Sequence, residues 1–231
     1  MIRSHRHALI VGAGAGLSAS LARLFHARGL RVSLAARTTT DLAGLAAETG
    51  AELHRCDAGD RAQIAGLFAA LDAGGTPDVV VYNPSARERA PFTELDPDGV
   101  QRAVQVTALG AFHAAQEAAR RMEPAGHGAI RFTGASAGVK GYARSAPFAM
   151  GKFALRGLAQ SLARELHPKG IHVGHFVIDG MIRNPGRTEP ADRPDSMLDP
   201  DAIARSYWHF LEQDRSAWAW EIELRPWVET F

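Results

Sequence analysis

The stretch that most constrains the fold lies near the start of the chain, where a short apolar run ends in three closely spaced glycines. The run 9–11 is typical of a buried strand, and Gly12, Gly14 and Gly16 lead into a segment with helical spacing. A helix start offers unpaired N–H groups and positive dipole, and glycine lets an anion approach the backbone. The stretch therefore predicts a strand, a phosphate-binding loop and a helix. A simple glycine-rich turn after an apolar strand is the alternative.

Composition limits the class of protein. The chain has 231 residues, 46% of them hydrophobic and 22% charged, with a formal net charge of +1. This balance predicts a single globular domain over 1–231 and gives no concentrated basic surface for nucleic acid or an anionic membrane. Cys56 is the one cysteine, so no internal disulfide and no cysteine-based metal site is expected, and histidine spacing suggests no metal site either. Residues 1–7 contain no long apolar segment, so we expect neither signal peptide nor membrane span, and a cytoplasmic location.

Strand-like runs alternate with helical patterns along the chain. We expect strands over 9–11, 31–36, 51–56, 78–82, 129–133, 171–178 and 218–224, and helices over 19–28, 40–49, 60–71, 96–122, 147–166 and 199–213. This alternation predicts an α/β fold, a doubly wound Rossmann-type parallel sheet of about seven strands with helices on both faces. The polar connection 179–199 is rich in Gly, Pro, Arg and Asp, which favours a lid or substrate-binding loop and leaves disorder open.

Four short segments match, in order, the motifs of one family of dinucleotide-binding enzymes. Residues 11–18 lie over its Thr-Gly-x-x-x-Gly-x-Gly pattern, and Asp57 lies over an Asp that contacts adenine. Residues 83–86 lie over an Asn-Asn-Ala-Gly segment, and residues 179–182 over a Pro-Gly-x-Val turn. With these segments the chain resembles the short-chain dehydrogenase/reductase family over essentially its whole length.

The resemblance implies a nicotinamide cofactor site at the carboxyl ends of the strands, which is also where a doubly wound sheet binds its ligand. The residues expected to form it are Gly12, Gly14, Ala15, Gly16, Leu17, Arg37, Thr38, Cys56, Asp57, Ala58, Asn83, Pro84, Ser85, Lys152, Asp179, Gly180 and Ile182. The resemblance also implies a homodimer or homotetramer assembled through the two long helices and the C-terminal strand.

The end of the second strand bears on the choice of cofactor. An NAD site needs an acidic side chain there for the ribose 2′-hydroxyl, whereas an NADP site favours a cation. Residues 34–38 contain no acid, and Arg37 offers a planar fork suited to phosphate, with Thr38 beside it. We therefore expect a preference for NADP(H). A solvated arginine at a strand end is the alternative.

The catalytic half departs from the family pattern. Residues 148–152 lie over the family's Tyr-x-x-x-Lys, so Phe148 occupies the position of the proton-donating Tyr while Lys152 is kept. Ala135 falls at the family's Ser, next to Ser136, and Thr107 at its Asn. Other proton donors are conceivable, namely Ser136, Tyr142, Ser145 or a water held by Lys152, so Lys152, Ser136 and Tyr142 are the candidate catalytic residues.

Three hypotheses for function follow. The first is an NADP(H)-dependent oxidoreductase with an atypical active site, acting on a small-molecule carbonyl, alcohol or activated double bond. The second is a catalytically impaired relative that binds NADP(H) as a sensor or partner module. The third is a structural or interaction protein that binds no nucleotide, which a nucleotide-dependent rise in melting temperature would exclude.

Overall fold

Nine strands and seven α-helices are found in the computed structural model, which describes residues 5–229. The strands are β1 (His7–Val11), β2 (Arg31–Ala36), β3 (Glu52–Arg55), β4 (Val79–Tyr82), β5 (Gly128–Thr133), β6 (Ile171–Ile178), β7 (Met181–Ile182), β8 (Met197–Leu198) and β9 (Glu221–Leu224). The helices are α1 (Leu17–Ala27), α2 (Ala43–Thr49), α3 (Arg61–Gly74), α4 (Pro97–Val104), α5 (Gly110–Met122), α6 (Ala146–Leu166) and α7 (Pro200–Leu211). Residues 1–4, part of the expected lead-in to the first strand, and 230–231 lie outside the described residues.

Seven of the strands form one sheet, in the order β3-β2-β1-β4-β5-β6-β9. Every pair is parallel, so all seven carboxyl ends lie at the same edge. The strand order reverses between β1 and β4, and in such sheets a ligand binds in the crevice outside this reversal. The predicted fold class is confirmed, and the glycine-rich loop after β1 lies at the reversal itself.

Helices cover both faces of the sheet, each over its own hydrophobic core. On one face α1 and α7 bury residues such as Leu21, Phe25 and Tyr207. On the other, α3, α5 and α6 bury residues such as Phe68 and Leu155. Each central strand is buried on both faces, which explains the near-continuous apolar runs of β1 and β4. Within residues 5–229, no helix is both long and apolar enough to cross a membrane.

Aspartate caps start three of the helices as their sequences predict. The Asp60 carboxylate accepts from the backbone N–H groups of Ala62 and Gln63, and Asp96 and Asp199 cap α4 and α7 in the same way. Proline occupies the first turn of both α4 and α7, where its missing N–H removes no hydrogen bond.

The single long helix expected over 96–122 is interrupted. A π-helical turn, Gln105–Leu109, separates α4 from α5. The hydroxyl of Tyr82 at the end of β4 donates to the Val106 carbonyl oxygen inside this turn. A Cβ on Gly110 would lie 2.3 Å from the same hydroxyl, so glycine is needed where the helix resumes. Tertiary contacts that helical periodicity does not encode therefore widen the turn.

Two further expectations need correction. The connection 179–199 is not a plain loop, because β7 and β8 pair within it as a separate two-stranded parallel sheet. The final strand is shorter than 218–224, since β9 begins only at Glu221 and leaves Trp218 and Trp220 before it. Several other boundaries differ by one to three residues, as helix and strand ends commonly do.

Candidate active site

A cavity of about 550 Å³ opens at the carboxyl edge of the sheet. It is lined by four separate groups: the glycine-rich loop with the start of α1, the ends of β4 and β5 with the loops after them, the α6 residues Phe148 and Lys152, and the start of the connection after β6. The predicted site residues among its lining are Gly12, Gly14, Gly16, Leu17, Asn83, Ser85, Lys152, Gly180 and Ile182. Segments far apart in sequence are thus brought together around one space, and Phe148 and Ala135 also line it.

The glycine-rich loop is held by its neighbours in a conformation that requires glycine at one position. Gly12 has a positive φ of 78°, and a Cβ there would lie 2.6 Å from the Pro84 ring. Its N–H and that of Ala13 donate to the Ala35 carbonyl oxygen of β2, at 2.9 and 3.0 Å. Any other residue at position 12 would strain the backbone and displace Pro84.

Ser18, at the last position of the glycine pattern, helps to hold this loop. Its hydroxyl donates to the Gly12 carbonyl oxygen at 3.2 Å and accepts from the Asn83 amide at 2.8 Å. Asn83 is also joined to β1, since its N–H donates to the Val11 carbonyl oxygen. The serine therefore ties the loop after β1 to the loop after β4.

The loop and the start of α1 meet the requirements of a phosphate site. Among residues 5–229, no side chain caps the N-terminus of α1, so its first N–H groups remain available for a ligand. A Cβ built on Gly14 would meet no described atom within 4 Å, and Gly14 lines the cavity. The backbone is therefore open on the side where an anion would approach.

Some predicted cofactor residues lie beside the cavity rather than in its lining. Arg37 and Thr38 are exposed directly after β2, whose Ala35 carbonyl oxygen holds the glycine loop. Ala15 and Pro84 belong to lining loops without lining the cavity themselves. The exposed Arg37 guanidinium is free to meet a ligand that extends past the glycine loop toward β2.

The segment 56–58, after β3, is held by both backbone and side-chain contacts, since the Cys56 N–H donates to the Ala36 carbonyl oxygen and the Asp57 N–H donates to Gln63 Oε1. The Cys56 thiol is buried, and burial raises its pKa to about 11. Asp57 Oδ1 accepts from the Gly59 N–H at 2.9 Å, while Ala58 is buried. The thiol packs into the core beneath α3, which leaves the backbone of Cys56 as the part of this residue that a ligand could contact.

Lys152 and Phe148 lie one turn apart on α6 and both line the cavity. Lys152 is 3% exposed, and its Nζ donates to the Thr133 carbonyl oxygen at 2.6 Å. Burial, followed by the positive charge of Arg87, lowers the pKa of the Lys152 ammonium to about 7. An amine with such a pKa can both hold and release a proton near neutral pH.

The other two candidate catalytic residues lie around a second cavity of about 660 Å³, which shares Ala135 and Phe148 with the first. The Tyr142 hydroxyl donates to Ser136 Oγ at 2.9 Å. Both side chains, with Ser145, line the second cavity, whereas Lys152 lines the first. Asp179, expected to contact cofactor, also lines the second cavity. Its carboxylate lies 3.6 Å from Lys140 Nζ and 3.5 Å from the Arg225 guanidinium.

Thr107 lies in the π-helical turn behind the site. It is fully buried, and its Oγ1 accepts from the Ala86 N–H at 3.2 Å. A Cβ on Gly151 would lie 2.8 Å from Thr107 Cβ, so the turn packs closely against α6 one residue before Lys152. Thr107 therefore positions the loop after β4 and the lysine helix relative to each other.

A group of potential metal ligands that sequence spacing did not indicate lies at the opposite, amino edge of the sheet. His5, Asp78 and His127 precede the neighbouring strands β1, β4 and β5, and their ligand atoms lie within 4.8 Å of one another. The two imidazole rings stack with centroids 4.6 Å apart, and burial lowers the pKa of His5 to about 3. Parallel strand order brings these residues together, which no local spacing reveals.

Comparison with known proteins identifies the family of this chain. The short chain dehydrogenase family model matches residues 6–193. A similar protein is 3-dehydrosphinganine reductase TSC10B of Arabidopsis thaliana, which is 31% identical over 73% of this chain and 53% of its own length. Another is the cyclic-di-GMP-binding biofilm dispersal mediator protein of Escherichia coli, which is 33% identical over 71% of this chain and 68% of its own length. The match thus spans about half the length of the Arabidopsis relative.

Solved structures extend the likeness to nearly the whole chain. A short-chain dehydrogenase from Rhodopseudomonas palustris has 33% identity and a TM-score of 0.84, covering 97% of this chain and 100% of its own. A metagenomic short-chain oxidoreductase in complex with NADP has 25% identity and a TM-score of 0.84, covering 97% and 99%. The chain belongs to the short-chain dehydrogenase family, and the expectation from its motifs is confirmed.

Proposed function

We propose that this protein is an NADP(H)-dependent oxidoreductase with an atypical active site, acting on a small-molecule carbonyl, alcohol or activated double bond. The observation that carries the proposal is that the open glycine loop and the buried Lys152 line the same cavity. The NADP complex of the metagenomic relative supports a nicotinamide cofactor in that cavity. When bound, such a cofactor supplies or accepts a hydride, and the protein's task is to orient the reactants and move a proton.

Each half of the site has its own task in this proposal. The N–H groups of the glycine loop and α1 bind the cofactor's phosphates, and Arg37 with Thr38 binds the 2′-phosphate of NADP. Lys152 holds a proton at Nζ. Phe148, at the position that the family motif gives to Tyr, has no proton to donate. General acid catalysis contributes roughly 100- to 10,000-fold, and in this proposal the proton comes from Lys152, a water on it, Ser145 or the Ser136–Tyr142 pair.

The connection 179–199 is proposed as the lid over substrate. Residues 180–184 and Arg187 line the first cavity, and Arg193 and Ser196 line the second, so one segment borders both. Substitutions within this connection are expected to change substrate preference more than cofactor affinity.

We propose in the same way that the whole chain forms one domain. Its cytoplasmic location stays a prediction from the sequence.

The proposal is tested by turnover of a panel of ketones, aldehydes and enones with NADPH, beside the Lys152→Ala variant. Oxidation of NADPH by the natural protein, lost in the variant, is the expected result. An NADPH-dependent rise in melting temperature measures cofactor binding independently of turnover. No turnover above the Lys152→Ala level across the panel would contradict the enzymatic proposal.

A second function is favoured by Phe148. A protein that keeps the cofactor site and lacks the phenol could bind NADP(H) as a sensor, and the Escherichia coli relative is named for ligand binding and dispersal rather than for a reaction. The Phe148→Tyr variant, alone and with Ala135→Ser, discriminates between the two. Dehydrogenase activity that arises only in these variants would favour the binding protein, whereas activity already present in the parent favours the enzyme.

The protein is also proposed to form homo-oligomers through α5 and α6. Large apolar side chains are exposed along and just before these helices, at Leu109, Phe112, Met150 and Phe153. Exposed apolar patches on helices commonly mark subunit contacts. Sedimentation equilibrium tests this, with a dimer or tetramer expected and a Phe112→Lys, Phe153→Lys double variant expected to dissociate.

A further inference from the structure

The two cavities are rich in arginine, a feature that the proposed hydride chemistry does not require. Arg87 and Arg89, in the loop after β4, line both cavities. Arg144 and Arg193 line the second cavity in addition. The whole chain has 26 Lys and Arg against 25 Asp and Glu, so this concentration of positive charge is local and does not reflect a basic protein.

Little negative charge lies close enough to neutralise these arginines. The second cavity is lined by two acids, Asp179 and Glu229, and Asp179 is already paired with Lys140 and Arg225. Within the part of the chain that the structure describes, no ion pair joins a carboxylate to Arg87 or Arg89. Burial, followed by the positive charges of Arg89 and Arg187, lowers the pKa of Arg87.

Arg87 is also placed against the reacting end of the site. Its guanidinium carbon lies 4.2 Å from the centroid of the Phe148 ring, and Lys152 Nζ lies 5.8 Å from the same centroid. The planar guanidinium group of Arg87, with its N–H donors, therefore lies over the ring of Phe148, the residue that replaces the family's tyrosine. Such a fork binds carboxylate and phosphate oxygens through two parallel hydrogen bonds.

We infer that Arg87 and Arg89 form a binding site for an oxyanion of the substrate, so that the protein selects compounds carrying a carboxylate or phosphate close to the reacting carbon. The reaction named in this inference rests on the proposed function, whereas the anion site itself does not. Arg144 and Arg193 extend the positive surface outward along the second cavity and draw anions toward it.

The cofactor's own phosphates are a less suitable occupant for this pair. Those phosphates belong with the glycine loop, and none of its glycines lines the second cavity. Arg183 and Arg187 line only the first cavity, beside the loop, and are the arginines placed to meet cofactor phosphate. Arg87 and Arg89 differ from them by facing the second cavity as well.

The anion site is tested by isothermal titration of the NADP⁺-saturated protein with oxalate and with its neutral isostere oxamide. Saturating NADP⁺ fills the cofactor's phosphate sites beforehand. Oxalate is expected to bind at least tenfold more tightly than oxamide, and Arg87→Met or Arg89→Met to remove most of that preference. Arg205→Met, an exposed arginine on α7 outside both cavities, serves as the matched control and should retain it.

Further variants and probes sharpen the outcome. Arg87→Lys keeps the charge without the fork and should bind oxalate with intermediate affinity, provided that melting temperatures show each variant to be folded. Methyl phosphate in place of oxalate distinguishes the two anion sources, since the tighter binder identifies the group that the pair prefers. The inference is overturned if oxamide binds wild-type protein as tightly as oxalate, or if the preference survives in both methionine variants.

Failure of the reaction and failure of the anion site give different results. If NADP⁺ does not raise the melting temperature, the proposed cofactor function fails, and the oxalate titration is then made on the protein alone. If turnover is found, a 2-oxo acid and its methyl ester are compared. Arg87→Met should raise KM for the acid at least tenfold and leave KM for the ester within about twofold, whereas equal effects on both would contradict a charge-selective site.

Discussion

The two halves of the site at the carboxyl edge of the sheet are formed by different kinds of groups. Around β1, β2 and β4 the site is made of backbone, with Gly12 at positive φ, an uncapped helix start and an open face at Gly14. Around β5 and α6 it is made of side chains, with Arg87 Cζ and Lys152 Nζ 4.2 and 5.8 Å from the centre of the Phe148 ring. Backbone geometry supports binding of a nucleotide, whereas side chains decide the reaction, so one half can change its chemistry while the other stays intact.

The greatest loss of activity is expected for a substitution in the side-chain half. Lys152→Met removes the amine that borders the cavity, and kcat/KM should fall at least 100-fold, about 3 kcal/mol of barrier. Steady-state kinetics with NADPH measure the loss. Lys169→Met, in the short turn after α6, is the control because that side chain pairs with Glu123 and Glu165 outside the two cavities. Unchanged kcat/KM in Lys152→Met would remove the lysine from the mechanism.

The backbone half is tested by a matched pair of glycine variants. Gly12→Ala forces a side chain into the left-handed region and onto Pro84, so unfolding should become easier by about 1–3 kcal/mol from backbone strain alone. Gly14→Ala should leave the melting temperature within a degree or two and weaken NADP(H) binding, because its Cβ would point into the cavity. Thermal denaturation with and without NADP⁺ separates the two effects. Equal stability of both variants would show that the Gly12 conformation carries no strain.

Arg37 extends the backbone half toward the cofactor's ribose. Charge-assisted hydrogen bonds contribute about 1.5–3 kcal/mol, so Arg37→Glu should weaken the binding of NADPH roughly 10- to 100-fold. The variant should then bind NADH at least as tightly as NADPH. Dissociation constants of both cofactors for parent and variant measure this. Tighter binding of NADH than NADPH by the parent protein would contradict the predicted preference.

The smallest difference is expected in pH dependence. With a pKa of about 7, Lys152 holds its proton below neutral pH and loses it above, so the rate of carbonyl reduction should fall up to tenfold per unit above pH 7. Binding of 2′,5′-ADP, which occupies only the adenosine side, should stay nearly constant between pH 6.5 and 8.5. A flat rate profile across that range would exclude Lys152 as proton donor.

Much of the fold follows from local pattern. Apolar runs of β1 and β4, aspartate caps at Asp60, Asp96 and Asp199, and glycines near position 12 each reflect a requirement of one element. The phosphate loop and Lys152 were predicted for the same reason, since both lie in short motifs with fixed spacing. Cys56 was also predicted as a cofactor residue, but the burial of its thiol was not foreseen, because that burial depends on what α3 packs against it.

The order of elements, the parallel sheet and the position of the glycine-rich loop can be predicted from the chain, because strand and helix periods and glycine's freedom are properties of neighbouring residues. Three other features arise from tertiary contacts: the π-helical turn behind Lys152, the pairing of Ser136 with Tyr142 and the placement of Arg87 over Phe148. These depend on how separate loops meet above a common edge of the sheet. Long side chains extend from one of these loops to another, in directions that sequence spacing does not specify.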